Sequence, residues 1–184
     1  MTRVIKAALV LPVLLGGLFL GGEAALGASP SSGTIKVFVT PKGSGNGGPV
    51  VITGVIGDYG GSTNANASGK PQKNGGYELL LLKKGTILVN GSQFNKATNN
   101  AQPTDFNQTS CSGTVVASAP APIVSGTKAY SGITGSLNLT ATFAFVGPFY
   151  TSGSKKGQCN TSNNGPNPPG IFATITGTGT VSFG

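Results

Sequence analysis

The sequence predicts an all-β domain: a single antiparallel β-barrel of about eight strands, with a β-sandwich as the alternative closure. Three observations predict it. Gly, Thr, Ser and Asn together supply 82 of the 184 residues, which is the turn-forming, hydroxyl-bearing composition of antiparallel sheets. Only 9% of residues are charged, against about 25% in ordinary globular chains, so the polar surface must come from hydroxyls and amides. Several segments alternate apolar and polar residues with a period of two, and no segment shows a helical period.

Residues 1–28 read as a signal peptide that leaves 29–184 as one domain. Arg3 and Lys6 form a positive start, an apolar run follows over 7–21, and the small residues Ala25, Gly27 and Ala28 suit a peptidase. The run is broken by Pro12 and Gly16 and falls short of the ~20 residues a membrane span needs. The expected product is therefore secreted to the extracellular side, with no integral membrane segment after cleavage.

TIKVFVT (34–40) and VVITGVIG (50–57) read as strands around a PKGSGNGG turn, and 60–76 reads as a polar loop. YELLLL (77–82) and TILVN (86–90) form a hairpin with Gly85 at a positive φ. GTVVAS (113–118) and PIVSG (122–126) lie on either side of Pro120 and Pro122, so a break or an edge is expected between them. In SLNLTATFAFVG (136–147), Leu137, Leu139, Phe143 and Phe145 share one parity, and in IFATITGTGTVSF (171–183) Ile171, Ala173, Ile175, Val181 and Phe183 do the same. Both apolar parities are expected to face one interior, with Thr174, Thr176, Thr178 and Thr180 on the opposite face. The connection 148–170 is too rich in Gly, Pro and Asn to be regular.

Composition also removes whole classes of chemistry. The chain has no His and no Trp, so imidazole metal sites and Ser-His-Asp or Cys-His machinery are out of reach. Neither a metal, a cofactor nor a catalytic group is assigned. The formal net charge is +8, but after residue 28 every cation is a lysine, none clustered beyond a pair, and no arginine offers phosphate a planar fork. No specific nucleic-acid partner is expected; an anionic cell-wall polymer or acidic polysaccharide fits a diffuse basic surface better. Cys111 and Cys159, exported to an oxidising compartment, are expected to form a disulfide. Their spacing has none of the marks of a redox pair.

The candidates for ligand contact are Asp58, Tyr59 and Tyr130. Asp58 ends an apolar run beside Tyr59, where a carboxylate at a barrel mouth would have its pKa raised by desolvation; the plain alternative is a turn residue leaving a strand. Tyr130 could present its hydroxyl to a ligand or pack over glycines at a tight bend. Glu78 and Asp105 complete the acids beyond residue 28, and a paired-carboxylate mechanism would need two of the three to converge. Five Asn-x-Ser/Thr matches, at Asn66, Asn90, Asn107, Asn138 and Asn160, are close to what chance produces in so Asn- and Thr-rich a chain.

The stretch GTKAYSGITGSLNLT (126–140), with an aromatic at 130, glycines at 132 and 135 and an alternating strand, resembles the corresponding strand of allene oxide cyclase and the plant dirigent proteins. ITGVIGDYG (52–60) and GGYELLLLKKGTILVNG (75–91) match in order an early core strand and a central hairpin of that superfamily. The chain as a whole resembles exported bacterial β-rich proteins ending in a GxGTVSF-type strand. The resemblance implies an eight-stranded barrel with a lumen, found in that superfamily often as trimers, and a lumen whose polar and acidic lining serves cyclisation or the guidance of radical coupling. No catalytic residue carries over.

Three functions are consistent with this reading. The first is a non-catalytic exported barrel, either an envelope or matrix component or a binder of a small apolar molecule. The second is a cyclase- or isomerase-like enzyme. The third is recognition of a polysaccharide or other surface through the Thr-lined strand faces, which repeat every ~7 Å.

Overall fold

The computed structural model describes residues 31–42, 47–162 and 167–184; the expected signal peptide, 1–28, lies outside them. Eight strands close into an antiparallel barrel in simple sequence order. They are β1 (Gly33–Val39), β2 (Gly48–Gly54), β3 (Asp58–Ala65), β4 (Tyr77–Leu82), β5 (Gly85–Asn90), β6 (Ser112–Gly126), β7 (Ile133–Val146) and β8 (Gly170–Phe183), with one helix, α1 (Ser92–Asn100), between β5 and β6. β1 pairs with β8 from Gly33 opposite Val181 to Val39 opposite Ile175, and that seam leaves no open sheet edge in the ring.

Alternation fixes the inside. Ile35 and Val37 of β1, Val50 and Ile52 of β2, Leu80 and Leu82 of β4, Ile87 and Val89 of β5, and Ala121 and Ile123 of β6 are buried together with Ile133, Leu137 and Val181. On β7 and β8 the apolar parities do share that interior: Leu137 lies opposite Gly179, Leu139 opposite Gly177 and Phe143 opposite Ala173. Large residues thus face small ones across the ladder. A side chain at Gly179 would run into the carbonyl oxygen of Ser136.

An up-and-down barrel places every second connection at the same end. At one end the links are short, 55–57, 83–84 and 127–132; at the other lie 40–47, 66–76, 91–111 with α1, and 147–169. The first end is sealed and the second forms a mouth. Gly85 does take a positive φ, 157°, because a Cβ there would strike the Thr127 carbonyl oxygen.

Two expectations fail at the level of elements and a third is resolved. The polar loop expected over 60–76 contains most of β3, a strand without apolar alternation because its inward residues are Asp58, Gly60, Ser62 and Asn64. Of the break or edge expected between Pro120 and Pro122, the edge is what forms: β6 runs straight through both, pairing with β7 opposite Asn138 and Ser136. From Ser112 to Pro122 β7 is the one strand paired with β6, so a proline whose nitrogen faces the other side gives up no ladder bond; both rings sit exposed on the outer face. The expected strand number is right because the missed β3 offsets the two segments that merge into β6. Finally, α1 was not foreseen, since Phe94 is its single buried residue and one residue makes no period.

β6, β7 and β8 outrun the closed ring. Beyond it Phe143 and Phe145 are half-buried rather than core residues, and Ile171 is 59% exposed; Phe145 instead stacks with Phe106 of the preceding loop at 6.3 Å. The disulfide Cys111–Cys159 forms, with Cα atoms 5.3 Å apart, and ties the β7–β8 connection to the start of β6. Four of the five Asn-x-Ser/Thr asparagines act locally: the side-chain oxygens of Asn66, Asn90, Asn107 and Asn160 accept backbone N–H groups two residues on, the Asx-turn geometry.

Candidate functional site

The sealed end and the mouth each hold one of the inward-facing carboxylates, and their environments differ. Asp58 opens β3 at the sealed end, 7% exposed. Its Oδ2 accepts the hydroxyl of Tyr130 at 2.6 Å and the backbone N–H of Lys84 at 2.9 Å, while Oδ1 accepts the N–H of Tyr59 at 2.8 Å. Burial alone would raise this carboxyl, as expected from the sequence. The Tyr130 hydroxyl and the N–H groups of Lys84, Tyr59 and Lys83 outweigh it, and Asp58 titrates below the ordinary value of 3.8. The expected upward shift is therefore corrected to a downward one.

Tyr130 follows from the local sequence around it. The short 3-10 turn Lys128–Tyr130 ends β6, Lys128 takes φ 55° and Gly132 φ 74°, and the chain reverses tightly enough to drop the ring into the barrel floor. The ring is 1% exposed and lies against Gly85, where an added Cβ would come within 3.1 Å of it. Burial, together with the hydrogen bond to Asp58 and its negative charge, pushes the phenol well above its ordinary range. Of the three candidates, Asp58 and Tyr130 are thus joined to each other and sealed from solvent. Tyr59 points the other way, 59% exposed, with the Lys83 ammonium 5.6 Å from its ring centre.

The open space is at the mouth, lined by residues the sequence reading did not single out. Val37, Val39, Leu80, Val89, Leu137, Leu139 and Ile175 form an apolar wall, Phe94 and Asn95 of α1 overhang it, and Glu78 and Asn64 face each other across the β3–β4 ladder. The hollow itself has a cavity volume of about 100 Å³. It continues outward past Pro41, Asn64, Phe94 and Ile175 to a wider vestibule over Val115, Phe143 and Ile171, on the projecting ends of β6 to β8.

Burial pushes the Glu78 carboxyl up from its ordinary value; the neighbouring Ser62 hydroxyl partly offsets that shift. The hydroxyl is itself buried and makes no hydrogen bond of standard geometry. Asn64 is held from outside the lumen, its Nδ2 donating to the Lys73 carbonyl at 3.1 Å. Such a pocket can enclose an apolar body and orient it by one polar group, through Glu78 and Ser62. YELLLL alone does not place Glu78, because Leu79 and Leu81 make the opposite parity equally apolar; the fold turns Leu80 and Leu82 inward, and Glu78 with them.

The third acid, Asp105, is elsewhere, in the loop before β6, where it accepts the backbone N–H of Thr114. No two of the three carboxylates are brought together as a catalytic pair. Among the described residues no group of three or more metal-ligating side chains occurs, and no helix is long and apolar enough to cross a membrane. The threonines of β8 lie on the outer face, in register with Ser136, Asn138, Thr140 and Thr142 of β7, and Thr140 shares a 2.8 Å hydrogen bond with Ser118 of β6. No protein-family model, curated protein or solved structure matches the chain.

Proposed function

We propose that the protein is an exported, non-catalytic barrel that binds a small, mainly apolar molecule in its mouth, with Glu78 contacting that molecule's one polar group. The observation that carries this is the mouth pocket itself: an apolar wall from five strands with a single carboxylate among its lining, open to solvent under α1. An eight-stranded barrel has an interior just wide enough to be filled by side chains or to hold one small ligand, and here the filling stops at Leu80 and Leu137. The test is fluorescence of the neutral probe N-phenyl-1-naphthylamine with the full chain. Wild type should enhance it and Val39→Trp, which fills the mouth, should not; equal enhancement by both proteins would place the probe elsewhere and sink the proposal.

One observation favours a second reading, an isomerase or cyclase of the kind the 126–140 resemblance implies. Glu78 is a buried-face carboxyl with a raised pKa in an apolar pocket, the setting of a general acid. Glu78→Gln separates the two. Under the binding proposal it retains probe affinity and changes no compound in a lipophilic extract; if wild type converts a component that Glu78→Gln leaves intact, the enzyme reading replaces the binding one.

A further inference from the structure

The outer surface of β1 to β4 carries apolar side chains in a row. Register sets Phe38 opposite Val51 and Val51 opposite Tyr59, all on the outward parity. Leu81 of β4 lies opposite Gly61, two residues along from Tyr59. Phe38, Val51 and Leu81 are each nearly half exposed and Tyr59 more so. Isolated exposed apolar residues are ordinary, whereas a contiguous set across four strands marks a contact surface.

The row has a hollow in it. Gly61 faces outward, and a Cβ built there would meet nothing nearer than the Gly48 oxygen at 3.7 Å. The depression between Tyr59 and Leu81 is bounded on its far side by Lys83 and Thr86. The Lys83 ammonium stands 5.6 Å from the Tyr59 ring centre. Lys36 lies on the same outward face, two residues before Phe38. Among the described residues no acid answers these cations locally, because Asp58 and Glu78 point into the barrel and Asp105 is bound in the loop before β6.

We infer that this hollow is a subsite for an acidic polysaccharide. The apolar face of a pyranose ring would lie on Tyr59 over the Gly61 floor, with its carboxylate at Lys83 and the polymer continuing along Val51 and Phe38 toward Lys36. The charge pattern requires an anion and the ring requires a flat apolar face, which a uronate unit combines. A bilayer is met by protruding side chains; a ring-sized depression with a cation at its edge suits a sugar instead. The site is on the opposite side of the sheet from the mouth pocket and does not depend on it.

The test uses immobilised polygalacturonate, dextran as the neutral polymer, and phosphatidylglycerol vesicles. Wild type should bind polygalacturonate and neither of the others. Tyr59→Ala and Gly61→Leu, which removes nothing but fills the hollow, should each weaken binding by about an order of magnitude. Lys83→Gln should weaken it more than Lys96→Gln, a control of equal charge on α1, and melting curves should show all four variants folded. Unchanged binding by Tyr59→Ala and Gly61→Leu, equal effects of the two lysine substitutions, or binding of vesicles in place of the polymer would each overturn the inference.

Discussion

The hydroxyl of Tyr130 donates to Oδ2 of Asp58 at 2.6 Å, joining residues 72 positions apart inside the sealed end of the barrel. That bond closes the floor: Asp58 begins β3, Tyr130 leads into β7, and the Lys84 N–H on the same oxygen brings in the β4–β5 turn. Three connections are thus tied through one carboxylate. Replacing Tyr130 by Phe keeps the packed ring and removes the donor, leaving a buried anion short of one partner. A loss of about 1.5–3 kcal/mol is expected at pH 7, the range for hydrogen bonds to charged groups, read from urea unfolding followed by circular dichroism.

The same pair sets a pH window. In the unfolded chain Asp58 ionises near 3.9 and in the fold below that. Between the two values the unfolded state binds more protons, so the stability this carboxylate contributes is present above about pH 4 and is lost as pH falls. Tyr130 is displaced upward, so its contribution is full below about pH 10 and is lost as pH rises beyond it. Melting temperatures of wild type should fall at both extremes, and Tyr130→Phe should flatten the alkaline fall; an alkaline limb unchanged in the variant would assign that fall to the lysines.

Glu78 runs opposite to Asp58. Its folded pKa is raised, so charging it opposes the fold, and stability is lost as pH rises through its folded value. Glu78→Gln should therefore raise the melting temperature at pH 7 relative to wild type and change it little near pH 4. A residue that costs stability where it stands is the mark of a functional position. A lower melting temperature at pH 7 would show instead that the carboxylate is a structural anchor.

Cys159→Ser opens the loop closed by the disulfide between positions 48 apart. Loop-closure entropy gives a loss of about 4 kcal/mol. Because Cys111 is buried and immediately precedes β6, the projecting ends of β6 to β8 should become exchange-labile before the ring does, which hydrogen exchange resolves. Uniform loss of protection would tie the loop to the barrel's global stability.

Phe143→Ala should cost less than a full core truncation, since the ring lines the vestibule and not the closed ring. An expected loss of about 1–2 kcal/mol compares with about 3–5 kcal/mol for a fully buried phenylalanine. Gly179→Ala should cost more than Phe143→Ala, because its Cβ meets the Ser136 backbone carbonyl and the ladder has to open.

Much of the fold could be read from local pattern. A strand with one buried face must alternate, and β7 and β8 do so plainly enough for their faces to be assigned before any contact is seen, whereas β4 and β5 read as continuous apolar runs, LLLL and ILV, with no parity of their own. The pairing of Cys111 with Cys159 was expected from their number and from the export that residues 1–28 suggest. β3 defeated the same method because it lines the lumen with Asp58, Gly60, Ser62 and Asn64, residues whose hydropathy resembles a loop's. Pro120 and Pro122 left a break and an edge both open because proline's penalty depends on a neighbour strand, and whether β6 has one at that height is decided by the lengths of β5 and β7.

What the sequence by itself determined is therefore the all-β class, the parity of β7 and β8 and the poverty of catalytic residue types, because these depend on composition and on residues next to one another. What only the tertiary structure decided is which acid does what. Asp58 and Glu78 both lie on inward parities, and nothing local distinguishes them. Closure of β1 against β8 places one at the end with short turns, where Tyr130 and backbone N–H groups converge to hold its charge. It places the other at the end with long connections, where burial among apolar walls without such donors raises its pKa and leaves it facing open space. A carboxylate's role is set by the donors and the solvent around it, and those come from residues distant in the chain.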